Sequence, residues 1–136
     1  AVDLKKRIVA YLEKQGHSVT NMGVDSDEMV DYPDLARITC DEYLRGGYDF
    51  GIVCCGTGIG VSISANKIKG IRCALLCNTF SAQKAKTHNK ANFIAFAGRM
   101  VYSDKVEDML DAFMNETYKG GRHQRRIDKI SELESS

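Results

Sequence analysis

The nearly uninterrupted apolar segment at residues 48–55 constrains the fold more than any other part of the sequence. It lacks the polar alternation of a half-exposed strand, which is typical of a strand buried on both faces of a parallel sheet. The turn Gly56-Thr57-Gly58-Ile59-Gly60 follows it directly and predicts the start of a helix. A strand, a glycine turn and a helix in this order indicate an α/β sheet, with residues 48–55 as its central strand.

The rest of the chain alternates between strand and helix patterns in the same way. Further strands are predicted at residues 18–22, 71–77 and 92–97. Helices are predicted at residues 2–15, from Pro33 to the stop at Gly46-Gly47, from the glycine turn to Asn66, at 79–88, after an N-cap at Ser103, and after Gly120-Gly121. Their expected buried positions include Leu44, Val106, Met109, Leu110, Phe113, Ile127, Ile130 and Leu133.

Strict alternation with right-handed crossovers predicts a doubly wound, Rossmann-like parallel sheet in three layers. The length favours one domain over residues 1–136, with residues 120–136 as a C-terminal basic helix or tail. The helix at residues 2–15 has a complete apolar stripe, and in such a domain it normally follows a strand. We therefore expect a first strand of about ten residues ahead of Ala1 in the native gene product.

Charge and composition narrow the possible functions. The chain has 19 Lys and Arg against 18 Asp and Glu, so its net charge of +1 provides no general attraction for nucleic acid or an anionic membrane. A hydrophobic content of 43% excludes disordered and fibrous classes. No apolar run approaches the roughly 20 residues of a membrane span, and the charged N-terminal segment lacks a signal-peptide core. A cytoplasmic protein is expected.

The 5 cysteines agree with that compartment, because their number is odd and most lie in apolar runs. Reduced thiols are the expectation. Cys73 and Cys77 have a spacing that resembles a metal site, but along a strand their sulfurs would be about 13 Å apart. A shared zinc is therefore not expected, and no other metal site is predicted.

The glycine turn allows four chemical interpretations that spacing can test. A Walker loop would need a lysine after Gly60, and a dinucleotide fingerprint would need a third glycine where Val61 stands. A phosphatase loop would need an arginine six residues after Cys54 or Cys55, and neither position has one. An oxyanion cradle beside a reactive Cys55 thiol at a helix N-terminus remains. The alternative is a tight structural turn with a buried cysteine.

Two further groups of polar residues follow predicted elements. His88-Asn89 ends a helix and Arg99 follows the next strand, and we expect both at the ligand-binding end of the sheet. His88 could act as a general acid or base, or could simply be a structural histidine at a helix C-terminus. Arg122 and Arg126 lie one helical turn apart and could bind a phosphate together, or form a solvated basic face.

Together these segments resemble the ribose-5-phosphate isomerase B family, which includes the lactose-pathway galactose-6-phosphate isomerases. The resemblance runs in order along essentially the whole chain. The matching motifs are Asp31-Tyr32-Pro33, Cys55-Gly56-Thr57-Gly58-Ile59-Gly60, Ala65-Asn66-Lys67, Gly70-Ile71-Arg72, Thr79-Phe80-Ser81-Ala82, His88-Asn89-Lys90-Ala91-Asn92, Gly98-Arg99 and Gly120-Gly121-Arg122-His123-Gln124. The resemblance implies interconversion of ribose 5-phosphate and ribulose 5-phosphate through an enediolate, without metal or cofactor.

The resemblance also implies a role for each site residue. Cys55 would be the base, His88 would open the furanose ring, and Tyr32 would line the sugar. Backbone N–H groups of the turn, including those of Gly56, Gly58 and Gly60, would hold the oxyanion with Thr57 and Asn89, and the phosphate would lie on Arg99, Arg122 and Arg126, near His123. Family members usually have a first strand ending in Asp-His, which this sequence lacks. They form at least dimers, so a homodimer or homotetramer with sites at the subunit boundary is expected.

Several alternatives stay open. The substrate could instead be galactose 6-phosphate or allose 6-phosphate. In the galactose-6-phosphate enzymes the cysteine loop and the Gly-Gly-Arg-His tail belong to different subunits, whereas one chain carries both here, which favours a homo-oligomer acting on ribose 5-phosphate. One alternative is a flavodoxin-like nucleotide-binding module, but the sequence has none of the nucleotide-binding fingerprints tested above. Another is a non-catalytic phosphosugar sensor, which would not need Cys55 or His88.

Overall fold

From Tyr32 to Met114, helices and strands alternate in the computed structural model, which describes residues 2–23 and 31–135. The predicted alternation is confirmed in that range. Residues 24–30, which make up most of the acidic loop that the sequence predicts ahead of Pro33, lie outside the described residues. The elements of the described ranges are α1 (Val2–Lys14), α2 (Tyr32–Leu44), β1 (Gly51–Cys55), α3 (Ile59–Asn66), β2 (Cys73–Leu75), α4 (Thr79–Thr87), β3 (Phe93–Ala97), α5 (Val106–Met114) and α6 (Arg122–Leu133).

The three described strands form a parallel sheet in the order β1-β3-β2. Gly51 and Cys73 both lie opposite Phe93, and Cys55 lies opposite Ala97 at the other end of the register. Every residue of β3 is buried, so β3 is the central strand of the described sheet. The prediction that residues 48–55 form the central strand is wrong, because only β3 has a described neighbour on each side.

Helices cover both faces of the sheet, which confirms the doubly wound, three-layer prediction. On one face, α1, α4 and α5 pack around Ile94 and Phe96 of β3. On the other face, α2 and α3 pack around Phe93 and Ala95 of the same strand. Since neighbouring residues of a strand point to opposite faces, β3 contributes to both cores.

Residues 18–22 do not form the predicted strand. A strand requires a neighbour with which to form a hydrogen-bonded ladder, and none of the three described strands pairs with this segment. β2 is also shorter than the predicted residues 71–77. The residue types of a segment do not by themselves determine where backbone pairing begins and ends.

Helix boundaries and helix burial require three corrections. Ser103 does not cap α5, whose N-cap is Lys105, and the neighbouring Asp104 accepts the N–H of Thr79 at 2.8 Å instead. Leu44 is exposed at the end of α2. In α6 only Ile127 is buried, while the predicted core residues Ile130 and Leu133 are exposed because this helix lies at the surface of the described fold.

All five cysteines are free thiols. No helix within residues 2–23 and 31–135 has the length and apolar character needed to cross a lipid bilayer. In the same ranges, no group of three or more His, Cys, Asp or Glu side chains is arranged to hold a metal ion.

Candidate active site

Cys55 is the last residue of β1 and stands at the carboxyl end of the sheet, directly before the glycine turn. Cys54 packs against the core beneath α1, α4 and α5, whereas Cys55 packs against the core beneath α2 and α3. The two side chains therefore lie on opposite faces of the sheet, as the alternation of side chains along a strand predicts. Burial raises the pKa of the Cys54 thiol to about 12, so Cys54 stays protonated at neutral pH.

The backbone of the turn is arranged around the sulfur of Cys55. The N–H of Gly58 donates a hydrogen bond to Cys55 Sγ at 3.2 Å, an interaction that strengthens when the acceptor carries a negative charge. Gly58 has a φ of +75°, and a Cβ there would lie 2.7 Å from Leu75 Cδ1, so this position requires glycine. The first N–H groups of α3 have no partner inside the helix and carry its positive end. The turn therefore presents several donors beside the sulfur.

Tyr32 and Arg99 lie against two glycines of this turn. A Cβ on Gly60 would lie 2.5 Å from Tyr32 Cζ, and one on Gly56 would lie 3.1 Å from Arg99 Cδ. The N–H of Arg99 also donates to the Gly56 carbonyl at 2.9 Å. Thr57 is exposed, and its hydroxyl accepts an N–H from the start of α3 at 3.3 Å. We term residues 55–60 with Tyr32 and Arg99 the loop cluster.

His88 and His123 form a second group of site residues at the end of α4. Their rings stack with centroids 4.1 Å apart and planes inclined by 16°. His88 is the C-cap of α4, and His123 is the second residue of α6. The N–H of Lys119 donates to the Thr87 carbonyl at 3.1 Å, which ties the segment before α6 to the end of α4. We term His88, Asn89, Arg122, His123 and Arg126 the histidine cluster.

Positive charge dominates the histidine cluster. Desolvation, and then the stacked His123 and nearby cations, lower the pKa of His88. Desolvation and then nearby cations lower the pKa of His123 as well. The cations common to both are Lys84, Lys119 and Arg122, with Arg126 acting also on His123. Both imidazoles are therefore neutral at pH 7, in surroundings that attract an anion.

The loop cluster and the histidine cluster lie at opposite ends of the sheet. Helix α4 begins near the carboxyl end of β3, where the N–H of Thr79 binds Asp104, and it runs back toward the amino end. His88 is therefore next to the segment that enters β3. Cys55 pairs with the last residue of β3, so four strand residues at ~3.3 Å each separate the two ends by about 13 Å or more.

This placement corrects one prediction. His88 and Asn89 do not share the carboxyl end of the sheet with Arg99, because a helix that connects parallel strands runs antiparallel to them. Within one chain the structure thus brings together seven of the predicted site residues in the loop cluster and five in the histidine cluster. The two clusters do not meet.

A groove of about 900 Å³ runs along the free edge of β2, between the two ends of the sheet. Its lining includes Leu75, Phe80, Lys84 and Asn89. The Phe80 ring is 65% exposed, and Lys84 Nζ lies 5.4 Å from its centroid. Sequence reasoning assigned no role to Phe80 or Lys84, although an aromatic residue in the polar first turn of a helix is a recognisable signal of a contact surface.

Comparison with known proteins identifies the family. The model of a family described as Ribose/Galactose Isomerase matches residues 1–130. The chain belongs to this family. It is 40% identical over 131 residues to the ribose-5-phosphate isomerase B of Escherichia coli, an alignment that covers 96% of this chain and 88% of that protein.

Solved structures agree with this assignment. The Clostridium thermocellum ribose-5-phosphate isomerase B matches with a TM-score of 0.93 and 41% identity, covering 98% of this chain and 90% of that one. The Mycoplasma genitalium enzyme, solved with bound ribulose-5-phosphate, matches with a TM-score of 0.90 and 38% identity over 98% and 90% of the two chains. The family resemblance, the Rossmann-like fold and the prediction of an aldose–ketose isomerase are confirmed.

Proposed function

We propose that this chain interconverts ribose 5-phosphate and ribulose 5-phosphate, with Cys55 as the base that moves the proton. The observation that carries the proposal is the hydrogen bond from the Gly58 N–H to Cys55 Sγ at 3.2 Å, beside Tyr32 and Arg99. A thiol in this position faces backbone donors and the positive end of α3, whereas Cys54 stays neutral and is partly buried against the other core.

The proposed reaction transfers one proton between two neighbouring carbons. Cys55 Sγ removes the proton from the carbon next to the carbonyl, and the electron pair left behind moves to the carbonyl oxygen. The N–H groups of residues 56–60 and the Thr57 hydroxyl stabilise the resulting enediolate, because they are donors fixed before charge develops. A second proton passes from the hydroxyl oxygen of the neighbouring carbon to the former carbonyl oxygen, and return of the first proton from sulfur to the former carbonyl carbon completes the isomerisation. None of these steps needs a cofactor.

We further propose that a second copy of the chain supplies the histidine cluster. A group that transfers a proton must lie within about 2.6–3.2 Å of its target, so one sugar cannot use Cys55 and His88 of the same chain across the sheet. In a dimer with two-fold symmetry, each loop cluster can face the partner's histidine cluster. His88 would then open the furanose ring with Asn89 beside it, and Arg122 and Arg126 would complete the phosphate site with Arg99.

Exposed apolar side chains support this assembly. Ile59, Ile63, Leu75 and Phe80 are each at least 41% exposed, and they lie along the free edge of β2 and the start of α3 and α4. Exposed apolar patches of this kind mark interaction surfaces. This patch adjoins both the glycine turn and the groove that reaches Asn89, which is where a partner would need to dock.

Six-carbon sugar phosphates are the second candidate substrates, because the family description includes galactose. The test is an assay of the purified chain with ribose 5-phosphate, galactose 6-phosphate and allose 6-phosphate. Turnover of ribose 5-phosphate by this chain alone is the expected result. Absence of that turnover, with galactose 6-phosphate activity gained on mixing with a second kind of subunit, would overturn the proposal. Binding of phosphosugars without turnover of any of them would indicate a sensor.

A further inference from the structure

Gly60 occupies a helical position where glycine is not needed for backbone reasons. It is the second residue of α3 and is not among the glycines with positive φ, which include Gly58 two residues earlier. In a helix with ordinary φ, alanine is favoured over glycine because it loses less conformational entropy on folding. The backbone of Gly60 therefore gives no reason for the absence of a side chain.

The ring of Tyr32 gives that reason. A Cβ on Gly60 would lie 2.5 Å from Tyr32 Cζ and 2.8 Å from its hydroxyl oxygen, well inside van der Waals contact, and the three nearest atoms to it all belong to this ring. Tyr32 is 46% exposed. The ring could therefore swing outward at little cost if anything occupied the space above Gly60.

We propose that Gly60 is a positioning residue for Tyr32: its bare Cα provides the surface on which the ring lies, and this holds the ring at the mouth of the glycine turn. The inference rests on the proposed function, in which Tyr32 lines the sugar. Any side chain at position 60 would move the ring toward solvent and widen the site at the point where the sugar would pack.

The main test is a double-mutant cycle on ribose 5-phosphate turnover with Gly60→Ala, Tyr32→Ala and the double variant. Gly60→Ala and Tyr32→Ala should each reduce kcat/KM by about tenfold to a hundredfold, mainly through KM. The double variant should be no worse than Tyr32→Ala alone, because the two substitutions remove the same interaction. In a Tyr32→Phe background, which keeps the ring, Gly60→Ala should cost as much as in the wild type. Losses that multiply in the double variant would overturn the proposal.

Two measurements do not depend on the substrate. The melting temperature of Gly60→Ala should equal or exceed that of the wild type, since α3 gains a better helix former and an exposed ring moves. A crystal structure of Gly60→Ala should show the Tyr32 ring displaced by about 1 Å or more, the shift needed to restore normal contact. An unmoved ring, or a clear fall in melting temperature, would contradict the proposal. A wild-type chain without turnover would refute the proposed function and leave these two results to decide the role of Gly60.

Discussion

The two halves of the candidate site are held in different ways. The loop cluster is built from backbone: a Cβ on Gly58 would lie 2.7 Å from Leu75 Cδ1 and 3.1 Å from the backbone of Phe96, and the Gly58 N–H binds Cys55 Sγ. The histidine cluster is built from side chains, with two stacked imidazoles and the arginines of α6, a helix that buries only Ile127. Under the proposed function, the buried sheet would fix the group that moves a proton at carbon, and the surface helices would carry the groups that bind the phosphate and act on the sugar ring.

The two clusters also differ in charge. Arg99 is the cationic side chain of the loop cluster, whereas Arg122 and Arg126 of the histidine cluster are joined by Lys84 and Lys119. A dianionic phosphate should therefore draw most of its binding energy from the histidine cluster. The chemical step at carbon should depend on the loop cluster.

The largest effect is expected when the thiol of Cys55 is removed. Cys55→Ala should lower kcat by about 10²- to 10⁴-fold, because a positioned acid–base group is lost. Inorganic phosphate should still bind as in the wild type, measured by calorimetry. Cys54→Ser is the matched control, and its effect should be much milder because Cys54 faces the other core. Retention of most of the turnover by Cys55→Ala would mean that another group is the base.

Removing an arginine from the histidine cluster should have a smaller and different effect. Arg122→Met and Arg126→Met should each raise KM by about 10- to 100-fold, the range expected for a lost charge-assisted hydrogen bond. Arg125→Met removes an exposed charge from the same helix and should leave KM nearly unchanged. Equal effects on KM at all three positions would show that α6 attracts the substrate through its net charge and does not bind the phosphate at a specific site.

The smallest effect concerns the titration of the two histidines. Desolvation and nearby cations lower the pKa of His88 and His123, so NMR should show both imidazoles titrating below 6.5. Lys84→Gln removes a positive charge that disfavours the imidazolium form and should raise both pKa values. Phosphate bound on Arg122 and Arg126 should raise them too, since an anion stabilises the imidazolium. A pKa of His88 that phosphate leaves unchanged would place the phosphate elsewhere.

Sequence reasoning succeeded where the determining interactions are local. The glycine turn between β1 and α3 follows from neighbouring residues, and the opposite orientations of Cys54 and Cys55 follow from strand alternation. The sequence also predicts the bounds of α1, α3 and α4 closely, because apolar periodicity and helix-stopping residues act within a few residues of one another.

Sequence reasoning is wrong where the structure depends on pairing between segments that lie far apart in the chain. The order β1-β3-β2 depends on which strands pair, and residues 18–22, which pair with none of the described strands, form no strand. The wrong placement of His88 had a different origin. The direction of α4 follows from the parallel topology that the sequence predicts, and this topology alone places the C-terminus of α4 at the amino end of the sheet.

The central claim, that a complete site joins the loop cluster of one copy to the histidine cluster of another, can be tested by complementation. Cys55→Ala and His88→Asn, each expected to be strongly impaired alone, are coexpressed so that mixed dimers form. In a mixed dimer one of the two sites combines an intact Cys55 from one copy with an intact His88 from the other. With random pairing half of the dimers are mixed, so the account predicts about a quarter of wild-type turnover. No recovery in a sample shown to contain mixed dimers would contradict it.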